Sequence, residues 1–198
     1  MPFYDPERQR LIHVAANLRY GRPVDGKITL KSRPESNNTP QILNTGAFNT
    51  NWSTHTGAEV YFSNKRFMVG SEIVIHKFHS SESDEHTFYG GDIVLSYFFT
   101  RTSRPYNTTG SIYGFIPVKK SVFKGGLGEL EGVLRYSTFD LNDKSIKGGQ
   151  FWKITSIVNW YMSKVVRLEF IYGYGVLDRL EKQGAVNFFE SRIQFTVM

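Results

Sequence analysis

The sequence predicts an all-β fold, in the form of an antiparallel transmembrane β-barrel, and three observations predict it. Hydrophobic residues make up 40% of the 198 residues, and 16 Phe, 11 Tyr and 18 Gly give a composition typical of β proteins. Apolar and polar residues alternate along much of the chain, as they do in strands with one apolar face. No run of apolar residues is long enough for a transmembrane helix, whereas barrel strands need no such run.

Alternation predicts strands, and each is about as long as a strand that crosses a bilayer at a tilt. The last segment is the clearest, because Phe189, Ile193 and Phe195 share one face while Glu190 and Arg192 share the other. In chain order, the predicted strands are residues 12–20, 27–33, 58–62, 67–75, 93–99, 130–136, 152–160, 166–174 and 186–197.

The connections between these segments are predicted to alternate in length. Tight turns are expected at residues 21–26, 64–65 and 162–164, and longer polar links at 35–54, 79–87, 139–149 and 177–185. This alternation is typical of outer-membrane barrels, which have short periplasmic turns and longer extracellular loops. Residues 100–126 are an exception, because they are long where a short turn is due. We expect this stretch to fold against or into the lumen, or to add one short strand within residues 111–118.

The predicted strand number is odd, whereas bacterial single-chain barrels have even numbers of strands. We therefore expect residues 1–198 to form the C-terminal part of a larger barrel, with no second domain. The formal charge is +6, and the basic residues that cause it are scattered through strand-like segments. This scatter does not favour a nucleic-acid partner, which usually meets a concentrated basic tract.

Several passages resemble the phosphate-selective porin O and P family. The strongest is residues 126–143, GLGELEGVLRYSTFDLND, followed by Gly-Gly at 148–149, VNWY at 158–161 and VRL at 166–168. Upstream, SRPE at 32–35 and YFFTRTSRPY at 97–106 are similar too. The resemblance implies a bacterial outer-membrane porin of about sixteen strands, embedded in lipid as a homotrimer, with basic side chains lining an anion-selective pore. Small anionic solutes such as phosphate are the implied partners, and no cofactor is implied.

Basic residues on the polar face are the candidates for an anion path. On a lipid face, Lys or Arg near the midplane costs about 2–4 kcal/mol, whereas in a wet lumen it attracts anions. The same face also carries carboxylates, so these cations are alternatively solvated residues neutralised by Glu59, Glu72, Asp92, Glu131, Glu169 and Glu190. The candidates are Arg19, Lys27, Lys31, Arg33, Arg101, Arg104, Lys119, Lys120, Arg135, Lys153, Arg167 and Arg192.

Two further groups allow more than one interpretation. Aromatic residues on the apolar face are predicted to form girdles at the membrane interfaces or, alternatively, to pack in a soluble barrel. A second group, His76, His79 and His86 with the acidic Asp84 and Glu85, predicts a metal site or a hydrated loop. The aromatic residues are Tyr20, Tyr97, Tyr136, Trp152, Trp160, Tyr172 and Tyr174.

The sequence thus predicts an anion porin rather than an enzyme, and two alternatives remain. One is a soluble β-barrel that binds an apolar small ligand, with Phe189, Ile193 and Phe195 turned inward. The other is an outer-membrane barrel lipase or protease, which needs a Ser/His or Asp/His group at the outer rim. The sequence offers no nucleophile motif for such a group.

Overall fold

The computed structural model describes residues 3–35, 39–81 and 84–197, and these residues form strands and one short 3-10 helix, Val122–Lys124. In chain order the strands are β1 (Phe3–Asp5), β2 (Arg10–Gly21), β3 (Lys27–Ile28), β4 (Lys31–Ser32), β5 (Leu43–Asn44), β6 (Phe48–Asn49), β7 (Trp52–Asn64), β8 (Phe67–His79), β9 (His86–Phe98), β10 (Tyr106–Asn107), β11 (Ile112–Tyr113), β12 (Glu129–Asp143), β13 (Ile146–Tyr161), β14 (Val166–Arg179) and β15 (Lys182–Phe195). Within the described residues, no helix is long and apolar enough to cross a membrane.

One antiparallel sheet of nine strands dominates the structure, in the order β1-β2-β7-β8-β9-β12-β13-β14-β15. Each long strand pairs with the next long strand along the chain, so the sheet is a meander. Among the described residues, β1 and β15 each pair on one side only, and the sheet is open rather than closed into a barrel. The all-β, antiparallel prediction is confirmed to this extent.

The two faces of the sheet separate as the alternation predicts. The apolar face exposes large side chains, for example Val14 at 64%, Leu18 at 74% and Phe189 at 71% of their surface. Ile193 and Phe195 lie on this exposed face too. The opposite face, called the polar face below, carries most of the charged strand residues. The arrangement with Phe189, Ile193 and Phe195 turned inward is therefore not the one that the chain adopts.

The prediction of a strand at residues 27–33 is wrong. This segment contains only β3 and β4, which pair with β6 and β5 inside a long connection, residues 22–51. Its alternation has another cause: Ile28 and Leu30 pack against a buried apolar cluster. The sheet therefore has eight long strands, and its ninth member is the three-residue β1.

The predicted alternation of short and long connections is also wrong. Residues 139–149 and 177–185 are not long links, because the strands continue to two-residue turns at 144–145 and 180–181. Leu180 and Glu181 both have positive φ, 54° and 61°, which is the backbone of a type I′ hairpin turn. Residues 21–26 are not a tight turn but the start of the long connection 22–51.

Two long connections remain, one at each end of the sheet. We call residues 22–51 the first connection and residues 99–128 the second connection. Both fold onto the polar face, as was expected for the second. The strand allowed for within residues 111–118 is β11, which pairs with β10 inside the second connection and not with the main sheet. Parts of the predicted links 35–54 and 79–87, at residues 36–38 and 82–83, lie outside the described residues.

The buried apolar core lies between the first connection and the polar face. Leu43 of the connection packs with strand residues whose side chains project from the polar face. Around this cluster lie four more residues of the connection: Ile28, Leu30, Ile42 and Phe48. Its other buried members are Phe78, Phe88, Leu141, Ile146 and Phe151. The first connection therefore covers the aromatic rings at this end of the polar face.

Candidate functional site on the polar face

The second connection is fixed to the sheet by a buried ion pair. Arg104 binds the carboxylate of Glu131, which is fully buried on β12. Glu131 also accepts hydrogen bonds from Ser96, from Asn159 Nδ2 at 3.1 Å and from the Tyr161 hydroxyl at 3.0 Å. Four donors thus converge on one carboxylate, which compensates for the loss of its hydration.

Burial and the ion pair act on the pKa of Arg104 in opposite directions. Burial alone would lower this pKa, but the charges of Glu131 and Tyr161 outweigh burial and raise the pKa above its ordinary value. The guanidinium also lies over the rings of Phe98 and Tyr113, 5.6 and 5.9 Å from their centroids. Arg104 therefore stays charged, and its guanidinium contacts both the Glu131 carboxylate and the two rings.

A histidine makes a second contact between this connection and the sheet. His13 Nδ1 lies 2.6 Å from the Tyr106 hydroxyl, and His13 Nε2 lies 2.9 Å from a carboxylate oxygen of Glu59. His13 and Tyr106 are both buried. The His13 imidazole thus links β2 and β7 to the second connection. Tyr106 cannot move away from the sheet without breaking its hydrogen bond with His13.

The first connection places a carboxylate against two cations of the polar face. Glu35 accepts a hydrogen bond from Arg135 Nη2 at 2.7 Å through one oxygen and contacts Lys153 Nζ through the other. Lys153 Nζ also donates to the carbonyl of Pro34. A cavity of about 300 Å³ adjoins this group, and Arg33 is among the residues that line it.

A third charged group lies on β14 and β15. Glu169, nearly buried, is 2.6 Å from Arg192 Nη2 and 3.4 Å from Arg167 Nη2. Arg167 also donates to Gln194 Oε1 at 2.7 Å. One carboxylate is again shared by two cations.

The predicted cations fall into three sets. Arg104, Arg135, Lys153, Arg167 and Arg192 form ion pairs with only three carboxylates, those of Glu131, Glu35 and Glu169, while Glu129 and Glu190 lie on the same strands. Arg19 lies on the polar face opposite His55. The other six lie in the two connections: Lys27, Lys31 and Arg33 in the first, and Arg101, Lys119 and Lys120 in the second.

Three carboxylates lie next to one another on the same face, beside the cavity that Arg135 and Lys153 line. Glu59, Glu72 and Asp92 are direct cross-strand neighbours on β7, β8 and β9. Of the carboxylates that the sequence predicts to neutralise the cations, Glu131 and Glu169 form ion pairs with arginine among the described residues. The cations Arg135, Lys153, Arg167 and Arg192 lie on β12–β15, and these strands also carry carboxylates, those of Glu129, Glu131, Glu169 and Glu190.

The histidines at the end near the first connection pair with separate neighbours. His79 lies 2.7 Å from Glu85, and His86 lies 3.6 Å from Asp143. His76 contacts His55 on the neighbouring strand. Among the residues that the structure describes, no group of three His, Asp or Glu side chains could hold a metal ion.

Sequence reasoning missed Glu35, which was assigned to a polar link. It also missed Tyr106 and the docking role of Arg104. The contacts of Glu35 with Arg135 and of Tyr106 with His13 join residues 100 and 93 positions apart, whereas Arg104 and Glu131 are 27 positions apart. Glu35 ends the SRPE stretch at 32–35, and Arg104 and Tyr106 lie in the stretch at 97–106, and both stretches resemble the family.

Comparison with known proteins identifies the family. A model of the family described as phosphate-selective porin O and P matches residues 5–196. The chain belongs to this family. The resemblance noted in the sequence is thereby confirmed over nearly the whole chain. Phosphate-selective porins are channels rather than enzymes, and the family is associated with the bacterial outer membrane.

One relative gives a measure of length. An uncharacterised protein of Caulobacter vibrioides is 26% identical to this porin-family chain over 174 residues, which cover 86% of the chain and 34% of the relative. The chain thus spans about a third of the length of that relative.

Proposed function

We propose that this chain forms part of the wall of an outer-membrane pore through which small anions such as phosphate diffuse. The exposed apolar face supports its contact with lipid, because soluble proteins rarely leave so large a continuous apolar surface in water. Strands beyond those described here would close the barrel, and the whole protein would assemble as a homotrimer. The aromatic residues of the apolar face would lie near the membrane interfaces.

The observation that carries the anion preference is the sharing of three carboxylates by five cations. Arg167 and Arg192 share Glu169, so this group of three side chains holds one positive charge in excess. Arg135 and Lys153 share Glu35 beside a cavity that Arg33, Glu72 and Asp92 also line, so the charges of that group balance. Fixed positive charge along a narrow aqueous path raises the local concentration of anions and repels cations. No covalent step and no cofactor enter this mechanism.

The two connections narrow the path from its two ends. Lys27, Lys31 and Arg33 lie in the first connection, and Arg101, Lys119 and Lys120 lie in the second. Lys119 Nζ donates to the carbonyl of Arg101 at 3.1 Å, which ties one part of the second connection to another. Anions that follow the polar face would pass both basic segments.

Reversal potentials of the full gene product in planar lipid bilayers test this proposal. In a KCl gradient, we expect the sign of an anion-selective channel, and a smaller potential for the double variant Arg167→Gln, Arg192→Gln, because the excess charge around Glu169 is lost. Lys182→Gln, at the exposed start of β15, is the matched control and should leave the potential unchanged. A cation-selective wild type, or no channel at all, would overturn the proposal.

A further inference from the structure

We infer that Arg135, Lys153 and Ser137 form a binding site for one small tetrahedral oxyanion, and that the carboxylate of Glu35 from the same chain occupies this site in the structure. An oxyanion then binds in competition with Glu35. This inference rests on the proposed function, because it names one site along the proposed anion path.

The contacts of Glu35 are those that a bound anion would make. Its two carboxylate oxygens are held by different cations, one by Arg135 Nη2 and the other by Lys153 Nζ. Lys153 is largely buried, with 11% of its side chain exposed. Charge-assisted hydrogen bonds of this kind are the strong ones, and a phosphate oxygen can replace a carboxylate oxygen in each of them.

The carboxylate leaves donors of the same site unused. Arg135 Nε and Ser137 Oγ are both buried and have no hydrogen-bond partner among the described residues. Arg135, Ser137 and Lys153 all line the cavity of about 300 Å³ that adjoins Glu35. Buried donors without partners are costly. A tetrahedral oxyanion offers more acceptor oxygens than a carboxylate, so it can reach donors that Glu35 leaves free.

The charge of the cavity lining fits one anion. Arg33, Arg135 and Lys153 face the cavity as cations, and Glu72 and Asp92 face it as carboxylates. Glu35 brings the sum to neutrality, and its departure leaves one positive charge. A singly charged anion, such as dihydrogen phosphate, restores neutrality in its place.

The position of Glu35 in the chain allows this exchange. Glu35 belongs to the first connection and not to a strand of the sheet, so it can leave without breaking strand pairing. Its side chain keeps 17% of its surface exposed, so water and solutes reach it. The connection itself stays attached through Leu43 and the apolar cluster.

Phosphate block of the chloride current tests the site in the full gene product. We expect Glu35→Gln to lower the half-blocking concentration of inorganic phosphate about tenfold, because the competing charge is gone while both cations remain. Lys153→Gln should raise that concentration about tenfold. Glu181→Gln, an exposed carboxylate in the turn at the same end of the sheet, is the matched control and should match the wild type.

Single-channel conductance in KCl shows whether each variant has folded into a pore. Glu35→Asp keeps the charge on a shorter side chain and should give an intermediate half-blocking concentration. An anion-selective wild type whose phosphate block is the same in Glu35→Gln and Glu181→Gln would overturn the site alone. A wild type that selects cations would overturn the proposed function as well. Sulfate, tested in the same way, shows whether the site accepts tetrahedral oxyanions in general or only phosphate, and block by neither would overturn it.

Discussion

The first and second connections are both held to the sheet by ion pairs, but the partner that carries the negative charge differs between them. In the first connection the loop supplies the carboxylate, Glu35, and the wall supplies the cations. In the second connection the loop supplies the cation, Arg104, and the wall supplies the carboxylate, Glu131. The two connections come from opposite ends of the sheet and meet the same face, so the chain holds both with ion pairs of opposite polarity.

Burial separates the two ion pairs in kind. Glu131 is completely buried and has four hydrogen-bonding partners, whereas Glu35 is partly exposed and its cations keep unused donors nearby. A buried charge that loses its partner is strongly destabilising, whereas a partly hydrated one is not. One ion pair thus fixes a connection in place, and the other is the one at which we propose that anions exchange.

The largest expected effect comes from removing the buried cation. Arg104→Met should lower the free energy of unfolding by about 3–5 kcal/mol, because Glu131 stays buried without its counter-ion. Urea unfolding of the folded protein in detergent, followed by tryptophan fluorescence, measures this loss. Arg101→Met, exposed in the same connection, is the control and should change little. Equal losses in the two variants would show that the buried ion pair does not fix the second connection.

A smaller loss is expected in the first connection, from an apolar residue. Leu43→Ala should cost about 3 kcal/mol, because Leu43 is buried among aromatic rings and its truncation leaves a cavity. The same unfolding measurement applies, with the exposed Leu127→Ala as the matched control. Should Glu35→Gln prove more destabilising than Leu43→Ala, the first connection would be held mainly by its charge, and exchange of Glu35 for a free anion would be excluded.

The smallest effect concerns the hydrogen bond between the second connection and β2. Tyr106→Phe removes the hydroxyl that contacts His13 and should cost about 1 kcal/mol, the usual net value of one hydrogen bond. Tyr89→Phe, on the exposed apolar face, makes the same chemical change without a buried partner and serves as the control. A loss no greater than that of Tyr89→Phe would show that the Tyr106 hydroxyl does not help to fix the connection.

Alternation predicted the two faces of the sheet correctly, because a pleated strand sends neighbouring side chains to opposite sides whatever the tertiary structure. It failed at residues 27–33, where Ile28 and Leu30 alternate in order to reach a buried cluster and not a lipid face. The turns at 144–145 and 180–181 were missed for a different reason. Lys144, Leu180 and Glu181 adopt positive φ without the Gly or Asn that usually marks such turns.

The candidate site was predictable only as a list of cations. Residue type and face identified Arg135, Lys153, Arg167 and Arg192, since these follow from strand position alone. Their partners did not follow, because a carboxylate such as Glu35 reaches the wall through the fold of a long connection. No local pattern encodes a contact between positions so far apart in sequence.

The meander of the sheet has a consequence for the order of folding. Most of its long strands pair across short links, whereas β2 with β7 and β9 with β12 are joined by the two long connections. The docking contacts of the connections instead join residues 93, 100 and 137 positions apart, as between His13 and Tyr106, Glu35 and Arg135, and Ile42 and Arg179. Closing such loops costs more entropy, so we expect these contacts to form after the short hairpins. Interactions that form after the transition state act mainly on the unfolding rate, so we expect the docking of the two connections to affect how long the assembled sheet persists more than how fast it forms.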